Sequence, residues 1–186
     1  MRLFVAINFP KRLRERIARL ARPLQEAEFP VRWVEPDKIH LTLKFIGEVR
    51  TDRAEEFAEA LCRTAGAFRP FELRFERIGA FPSPRHPRVI WLGVEPTPEL
   101  RFLKHDIEQA LGEMGVPRER RLFQPHITLG RASGRHLPGS FQGLEAISQE
   151  ARLPAGHRVS HIDLMRSRLG PKGATYTLLK AAPLGA

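Results

Sequence analysis

Apolar residues follow two spacings along the first half of the chain: alternation with polar residues, and recurrence every three or four positions. Alternation is typical of strands, and the second spacing is typical of amphipathic helices. Helices are predicted after Pro10, through Leu13, Ile17, Leu20 and Leu24, and after Thr51, a good N-cap, through Phe57, Ala58 and Leu61 to Gly66. Strands are predicted over residues 2–8, 32–34, 39–49, 71–75 and 89–94.

The second half repeats this order. A helix is predicted from Thr97 to about Gly115, a strand over residues 125–131, a helix over about residues 140–149, and strands over residues 157–166 and 175–179. Each half therefore runs helix, strand, helix, strand, strand, at an offset of 86 residues. The duplication predicts an α+β fold that is bilobal and pseudo-twofold, with antiparallel sheets facing a central cleft. We expect a single domain over residues 1–186, with lobes of approximately residues 1–95 and 96–186 whose terminal strands can cross over.

One short pattern occurs in both halves, as His40-Leu41-Thr42-Leu43 and as His126-Ile127-Thr128-Leu129. Successive side chains of a strand point to opposite faces, so each His and Thr share one face while the aliphatic residues anchor the strand in the core. Either copy alone is typical of a half-buried strand whose polar groups satisfy hydrogen bonds. Two copies in equivalent positions favour a shared functional site in the cleft between the lobes.

Two imidazoles and two hydroxyls around one small anion suit a phosphodiester. Histidine has an unperturbed pKa of about 6.5, so one ring can take a proton from water while the other gives a proton to the leaving oxygen. Thr42 and Thr128 can donate hydrogen bonds to phosphate oxygens. His40 and His126 lack the carboxylate or cysteine neighbours of zinc and two-metal sites, so no metal and no cofactor is expected.

Arg131 and Phe45 occupy equivalent positions, each five residues after a motif histidine. The charge of Arg131 suits an anionic transition state, although regular alternation would place it on the face opposite to His126. A β-bulge at Gly130 would bring Arg131 to the shared face, and the alternative is an ordinary surface arginine. Phe45 is a candidate for contact with the base of a nucleotide, and its alternative is core packing.

The charge balance favours an anionic partner. The chain has 31 Lys and Arg against 21 Asp and Glu, a net charge of +10, and nucleic acid leads the candidates. Arginine-rich composition caused by thermal or genomic bias is the alternative. There is no run of eighteen apolar residues and no signal-peptide pattern, so we expect a cytoplasmic protein without membrane contact. Cys62, the single cysteine, is expected to pack within a helix–core contact.

Both motifs, with Pro125 before and Arg131 after the second copy, resemble the two-histidine phosphoesterases. More closely, the chain resembles the bacterial and archaeal RNA 2′,3′-cyclic phosphodiesterases, also called 2′-5′ RNA ligases. The likeness extends over nearly the whole chain in length and element order. Each motif is a weak signal alone, and the pair is specific. Ser167 and Tyr176 also resemble the family's C-terminal strands, where they are interpreted as structural.

The resemblance implies hydrolysis of a terminal 2′,3′-cyclic phosphate on RNA to a 2′-phosphate, without metal or nucleotide cofactor. It implies that His40 is the proton donor to the leaving 3′ oxygen and that His126 is the proton acceptor that activates water; the residues themselves leave the two roles open. Thr42, Thr128 and Arg131 are then phosphate-binding. The reverse reaction, 2′-5′ ligation to a 5′-hydroxyl, would use the same residues. The expected partners are RNA ends, of tRNA or other fragments, and the protein is expected to be a monomer.

Two other functions remain open from the sequence. A non-catalytic RNA-binding module would need only the basic surface and aromatic residues such as Phe45, Phe81 and Phe123. A phosphodiesterase could instead act on small cyclic phosphates or on 2′-5′ oligoadenylates. The remaining histidines lack a Thr partner in the same pattern and are interpreted as non-catalytic: His86, His105, His136, His157 and His161.

Overall fold

A computed structural model of the chain describes residues 1–134, 137, 139–151, 153–171 and 173–185. Within these residues it has ten strands and five α-helices. The strands are β1 (Arg2–Asn8), β2 (Val31–Trp33), β3 (His40–Glu48), β4 (Phe71–Leu73), β5 (Phe75–Phe81), β6 (Val89–Val94), β7 (His126–Ala132), β8 (His157–Val159), β9 (His161–Gly170) and β10 (Gly173–Pro183). The helices are α1 (Lys11–Leu20), α2 (Arg22–Glu26), α3 (Ala54–Gly66), α4 (Pro98–Glu113) and α5 (Leu144–Gln149).

Eight strands form one antiparallel sheet in the order β10-β9-β1-β3-β7-β6-β5, with β2 also paired to β7. Strands β4 and β8 form a separate antiparallel pair. The two halves of the chain exchange strands, because β9 and β10 lie beyond β1 whereas β5 and β6 lie beyond β7. The sheet is therefore built from both halves on each side of its centre.

The centre of the sheet is the contact between the two motif strands. Strands β3 and β7 share one paired position, Leu41 opposite Ile127. These two residues are 86 positions apart, which is the offset between the halves, so equivalent residues face each other at the centre. The predicted α+β fold with two equivalent halves is confirmed, and the sheets of the halves join through this contact.

The helices cover one face of the sheet. The main hydrophobic core contains alternate residues of β1 and of both motif strands, among them Val5, Leu41 and Ile127, together with buried residues of the helices, such as Leu61 and Leu103. Helix α3 packs against β9 and β10, and α4 packs against α3 and β3. The motif His and Thr residues point to the opposite face, where a small second cluster consists of Phe4, Ala6 and Met165. We call this surface the motif face.

Several sequence-based boundaries are wrong. The alternation over residues 71–75 is divided between β4 and β5, and residues 157–166 are divided between β8 and β9, because the chain passes from the small sheet to the large one at these points. Thr51 does not cap α3. It begins a 3₁₀ turn (Thr51–Arg53), and Arg53 occupies the N-cap without a side-chain hydrogen bond. The helix expected over residues 140–149 begins at Leu144, after a turn.

Other local predictions agree with the structure. Thr97 caps α4, because its hydroxyl accepts a hydrogen bond from the Leu100 amide at 3.4 Å. Cys62 is a free thiol in α3, partly buried against the core. Among the described residues, no helix has the length and apolar character needed to cross a membrane.

Candidate active site

The two motifs meet side by side. Leu41 lies opposite Ile127, so His40 and Thr42 flank this contact on β3, and His126 and Thr128 flank it on β7. Neighbouring strands are about 4.8 Å apart, and alternate residues of a strand are about 6.6 Å apart. At these spacings, four side chains around one paired position border an area roughly the size of one phosphate group. All four are partly exposed, while the aliphatic residues between them are buried.

Each motif histidine is held in the same way, by the backbone carbonyl of the residue two positions before it. The Nδ1 atom of His40 lies 2.7 Å from the carbonyl oxygen of Lys38, and Nδ1 of His126 lies 2.7 Å from that of Gln124. A carbonyl oxygen only accepts, so Nδ1 carries the proton and Nε2 is the nitrogen that gains or loses one. Nε2 of His40 also lies 3.0 Å from the Thr42 hydroxyl. Both imidazoles are thus oriented for proton transfer through Nε2.

A β-bulge brings Arg131 to the motif face. On β6, Val89, Trp91 and Gly93 alternate regularly and share one face, and they pair with Arg131, Thr128 and His126 respectively. Directly paired residues point to the same side of a sheet, so Arg131 shares the face of the motif. The register shift falls between Ile90 and Trp91, which leaves one extra residue, Leu129, on β7. The bulge predicted next to Gly130 is present.

The first motif strand has the same irregularity. Along β1, Phe4, Ala6 and Asn8 share one face and pair with Phe45, Thr42 and His40, with Leu43 as the extra residue of β3. Phe45 therefore lies on the motif face, where it is 61% exposed and its ring centroid lies 6.2 Å from that of Phe4. Core packing, the alternative for Phe45, is wrong. Its contact with a base stays a prediction.

Aromatic side chains enclose His40. The ring centroid of Phe4 lies 5.1 Å from that of His40, and Tyr176 of β10 lies 5.2 Å from it in an edge-on arrangement. Burial lowers the pKa of His40 below its ordinary value, the hydrogen bond to the Lys38 carbonyl opposes this effect, and the charge of Arg131 lowers the pKa further. The guanidinium of Arg131 thus acts electrostatically on the histidine of the other motif.

A different aromatic pair borders His126. Phe81 lies edge-on to His126 at 5.1 Å between centroids, and Trp91 lies 6.4 Å from His126 and 4.9 Å from Phe81. The indole lies over Gly79, where an added Cβ would be 2.4 Å from the Trp91 ring. Glycine at this position is therefore what allows the indole to lie against the sheet beside the second motif.

A buried carboxylate lies near the first motif. Asn8, paired with His40, donates a hydrogen bond from Nδ2 to Oδ2 of Asp163 at 2.7 Å, and His161 Nε2 lies 3.7 Å from the same oxygen. Burial raises the pKa of Asp163, and the hydrogen bond from Asn8 and the nearby His161 oppose the increase. The sequence alone does not predict the contact between Asn8 and Asp163. The two residues are 155 positions apart, and no local pattern around either one indicates the contact.

The other histidines lie outside the four-residue centre. His86 is in the loop after β5, His105 is on α4, His157 is on β8 and His161 begins β9. His136 lies outside the described residues. Across the described part of the chain, no group of three or more His, Cys, Asp and Glu side chains is arranged to hold a metal ion.

Comparison with known proteins gives a family match to both halves. The model of the LigT-like phosphoesterases matches residues 7–91 and again residues 92–176. A relative named RNA 2′,3′-cyclic phosphodiesterase, from Methanothermobacter thermautotrophicus, is 34% identical over 184 residues, which cover 95% of this chain and 95% of the relative. The two matched segments correspond to the two halves that carry His40 and His126.

Solved structures agree over the full length. A crystal structure of a Thermus thermophilus protein has a TM-score of 0.78 and 27% identity, and the match covers 99% of this chain and 98% of that one. A crystal structure of E. coli LigT in complex with 3′-AMP has a TM-score of 0.76 and 26% identity, with 100% and 98% covered. The architecture and the repeated sequence match thus point to the same group of proteins.

Proposed function

This chain belongs to the LigT-like phosphoesterase family, and from that premise we propose that it is an RNA 2′,3′-cyclic phosphodiesterase. The reaction opens the terminal five-membered phosphate ring of an RNA chain at the 3′ oxygen and leaves a 2′-phosphate. The observation that carries the proposal is the pairing of Leu41 with Ile127 at the centre of the sheet, which brings the two motifs together on one face. This arrangement surrounds a single phosphate with two proton carriers and two hydroxyl donors.

The proposed proton transfers need one neutral imidazole, which accepts a proton, and one protonated imidazole, which donates one. Water attacks phosphorus while Nε2 of His126 accepts its proton, the bond from phosphorus to the 3′ oxygen breaks, and Nε2 of His40 donates a proton to that oxygen. The backbone carbonyls at Lys38 and Gln124 support this scheme, because they fix Nδ1 as a donor in each ring. The two imidazoles are then restored to their starting states by exchange of one proton with solvent.

The threonine hydroxyls and Arg131 stabilise the negative charge of the phosphate. Thr42 and Thr128 donate to the non-bridging oxygens, and the guanidinium neutralises negative charge that develops as water attacks. The bulge of β7 supports this role, because it turns Arg131 to the face of the motif. Phe45, exposed on the same face, is the proposed contact for the base.

Both proton transfers are supplied by imidazoles, so the proposed hydrolysis needs no metal ion. The same residues would catalyse the reverse step, in which a 5′-hydroxyl attacks the cyclic phosphate and forms a 2′-5′ linkage. We propose RNA ends, such as those of tRNA or other fragments, as the substrates, and a cytoplasmic monomer as the active form.

The proposal is tested with EDTA-treated protein, a 2′,3′-cyclic mononucleotide and a short RNA that ends in a 2′,3′-cyclic phosphate. We expect a 2′-phosphate product from both substrates, with the phosphate position assigned by ³¹P NMR or by resistance to a 3′-specific nuclease. A 3′-phosphate product would overturn the assignment of the leaving group. Activity restored only by added Mg²⁺ or Mn²⁺ would overturn metal independence while leaving the phosphodiesterase activity in place.

A further inference from the structure

Two arginines face each other beside the site. Strand β2 pairs with the far end of β7 so that Arg32 lies directly opposite Arg131. Directly paired residues point to the same side of a sheet, so Arg32 lies on the motif face. Its neighbours Val31 and Trp33 pack against the core, as alternation along β2 requires.

Close packing holds β2 in this position. A Cβ atom added to Gly130 would lie 2.5 Å from Cγ1 of Val31 and 2.8 Å from the Trp33 ring. The Ser133 amide donates to the Pro30 carbonyl at 2.8 Å, and the Val34 amide donates to the Leu129 carbonyl at 2.8 Å. The backbone of Arg32 is therefore fixed between two hydrogen bonds and an anchored pair of side chains.

The paired charges have no counter-charge within the described chain. Both arginines are exposed. Neither takes part in an ion pair with a carboxylate of the described residues. Like charges directly opposite on neighbouring strands are destabilising. An anion bound between the two guanidinium groups would relieve this repulsion, and guanidinium groups suit phosphate geometry.

We propose that Arg32, with Arg131, forms a second phosphate subsite that binds the phosphodiester preceding the terminal cyclic phosphate of an RNA chain. The inference rests on the proposed function. Strand β2 pairs with the same edge of β7 as β3 does, so Arg32 and Arg131 lie side by side beyond the motif residues. The two backbones are about 5 Å apart. In the proposed arrangement Arg131 contacts the reacting phosphate and Arg32 contacts the second phosphate. The site therefore favours the end of a polynucleotide over a free cyclic mononucleotide.

The test compares the wild-type protein with Arg32→Gln on three substrates: a cyclic mononucleotide, the same mononucleotide with a 5′-phosphate, and a dinucleotide ending in a cyclic phosphate. We expect kcat/KM for the dinucleotide to fall roughly tenfold more than kcat/KM for the plain mononucleotide, as for a lost charge-assisted contact. The slope of log kcat/KM against log salt concentration, measured on the dinucleotide, should become shallower by about the amount that one phosphate contact contributes. Arg63→Gln is the control, because it also removes one positive charge, but from α3 on the side of the sheet opposite to the motif face.

The outcomes separate the inference from the proposed function. Equal losses on all three substrates, or no loss on any, would overturn the second subsite. A loss confined to the 5′-phosphorylated mononucleotide would overturn the assignment to a chain phosphodiester. If the wild-type protein hydrolysed none of the three substrates, the proposed function itself would be overturned. A melting temperature equal to that of wild type confirms that Arg32→Gln is folded.

Discussion

At the scale of single residues, the surroundings of the two motif histidines differ although their backbone hydrogen bonds match. Tyr176 and Phe4 bury His40, and burial lowers its pKa. Tyr176→Ala admits water to the ring and should raise the pKa of His40. We therefore expect a bell-shaped profile of kcat/KM against pH in the wild-type protein, and a shift to higher pH in the limb to which His40 contributes.

Tyr176→Phe is the matched control, because it keeps the ring that packs against His40. Its pH profile should match that of the wild-type protein. If Tyr176→Ala reduced kcat and left both limbs in place, the ring would act on the substrate or on folding and not on the proton affinity of His40.

Loss of either motif histidine removes one of two linked proton transfers. A positioned acid or base typically contributes about 10²–10⁴-fold to the rate, so His40→Ala and His126→Ala should each reduce kcat by that amount on a cyclic mononucleotide. The double variant should be little worse than either single variant, because the two rings act as a unit. Near-wild-type turnover of either single variant would contradict the two-histidine mechanism.

Arg131 and Phe45 occupy equivalent positions and are expected to act differently. Arg131→Ala removes charge stabilisation of the transition state, so kcat should fall by about 10²–10³. Phe45→Leu removes a stacking surface worth about 1–3 kcal/mol, so it should mainly raise KM. Steady-state kinetics on a cyclic mononucleotide distinguish the two. Unchanged kinetics combined with a lower melting temperature for Phe45→Leu would show that the exposed ring serves the fold.

The sequence predicts which motif side chains share a face better than it predicts the residues that surround them. The four motif side chains could be paired from their repeated spacing alone, and Gly130 indicated the bulge that places Arg131. The aromatic neighbours of the histidines, such as Phe4 and Trp91, could not be predicted, because they come from strands whose register is set by long-range pairing. The burial that lowers the pKa of His40 depends on these contacts.

At the scale of elements, the two motif strands share a pattern of exposure. From His40 and from His126, two partly exposed positions alternate with buried ones, then two consecutive residues are buried and the next is exposed. The consecutive buried pairs, Leu43 with Lys44 and Leu129 with Gly130, mark the bulges. A bulge in each strand rotates the residue five positions after the histidine onto the motif face.

Gly130 serves both the bulge and the approach of β2. Gly130→Ala would bring a Cβ to 2.5 Å from Val31, so β2 must move away from β7 and carry Arg32 with it. We expect lower stability, by about 1–3 kcal/mol as for overpacking, and a reduced preference for the dinucleotide over the cyclic mononucleotide. Urea unfolding and the ratio of the two kcat/KM values measure these effects.

Gly66→Ala is the control for this change, because an added Cβ at the end of α3 meets no atom within 4 Å. It should keep or slightly raise the unfolding midpoint, because alanine favours the helix more than glycine does, and it should leave the substrate ratio near its wild-type value. A Gly130→Ala protein as stable as Gly66→Ala, with an unaltered substrate ratio, would contradict the role of this close approach.

Some elements could not be predicted from alternation. The stretches over residues 71–75 and 157–166 alternate well, but alternation reports the face of a strand and not the sheet that the strand joins. Strands β4 and β8 pair with each other, for example through Phe71 and Val159, and so form a sheet separate from the large one. The bulge of β3 also lacks a sequence signal, since Leu43 is an ordinary strand residue.

At the scale of the whole molecule, the two halves are linked by more than their central strands. Each half donates strands to the other side of the sheet, and a buried charge network crosses between them. Lys44 of β3 is 3% exposed, and its Nζ donates to Oε2 of Glu108 and to the Pro117 carbonyl, each at 2.7 Å. Lys104 also pairs with Glu108. Glu108 of α4 thus connects a motif strand of the first half to the second half.

The network predicts a pH-dependent link between the halves. Burial alone raises the pKa of Glu108, but the hydrogen bonds and charges of Lys104 and Lys44 outweigh it and hold the pKa below its usual value. A carboxylate whose pKa is lowered by folding stabilises the protein above its unfolded pKa, and this contribution is lost as the pH falls through the folded pKa. The difference between wild type and a neutral variant should therefore be large at neutral pH and should shrink in acid.

Glu108→Gln tests this link, because it removes the carboxylate that pairs with both Lys44 and Lys104, although Lys104 keeps its pair with Glu119. Removing one partner of a buried ion pair typically costs about 3–5 kcal/mol, so the urea midpoint at pH 7 should fall clearly below that of wild type. The matched control is Glu59→Gln, whose pair with Arg63 spans 3.9 Å between two exposed side chains. An exposed pair contributes about 0–1 kcal/mol, so that variant should unfold near the wild-type midpoint. Equal midpoints for the two variants at pH 7, or a Glu108→Gln deficit that persists unchanged below the folded pKa of Glu108, would show that the network does not join the halves through charge.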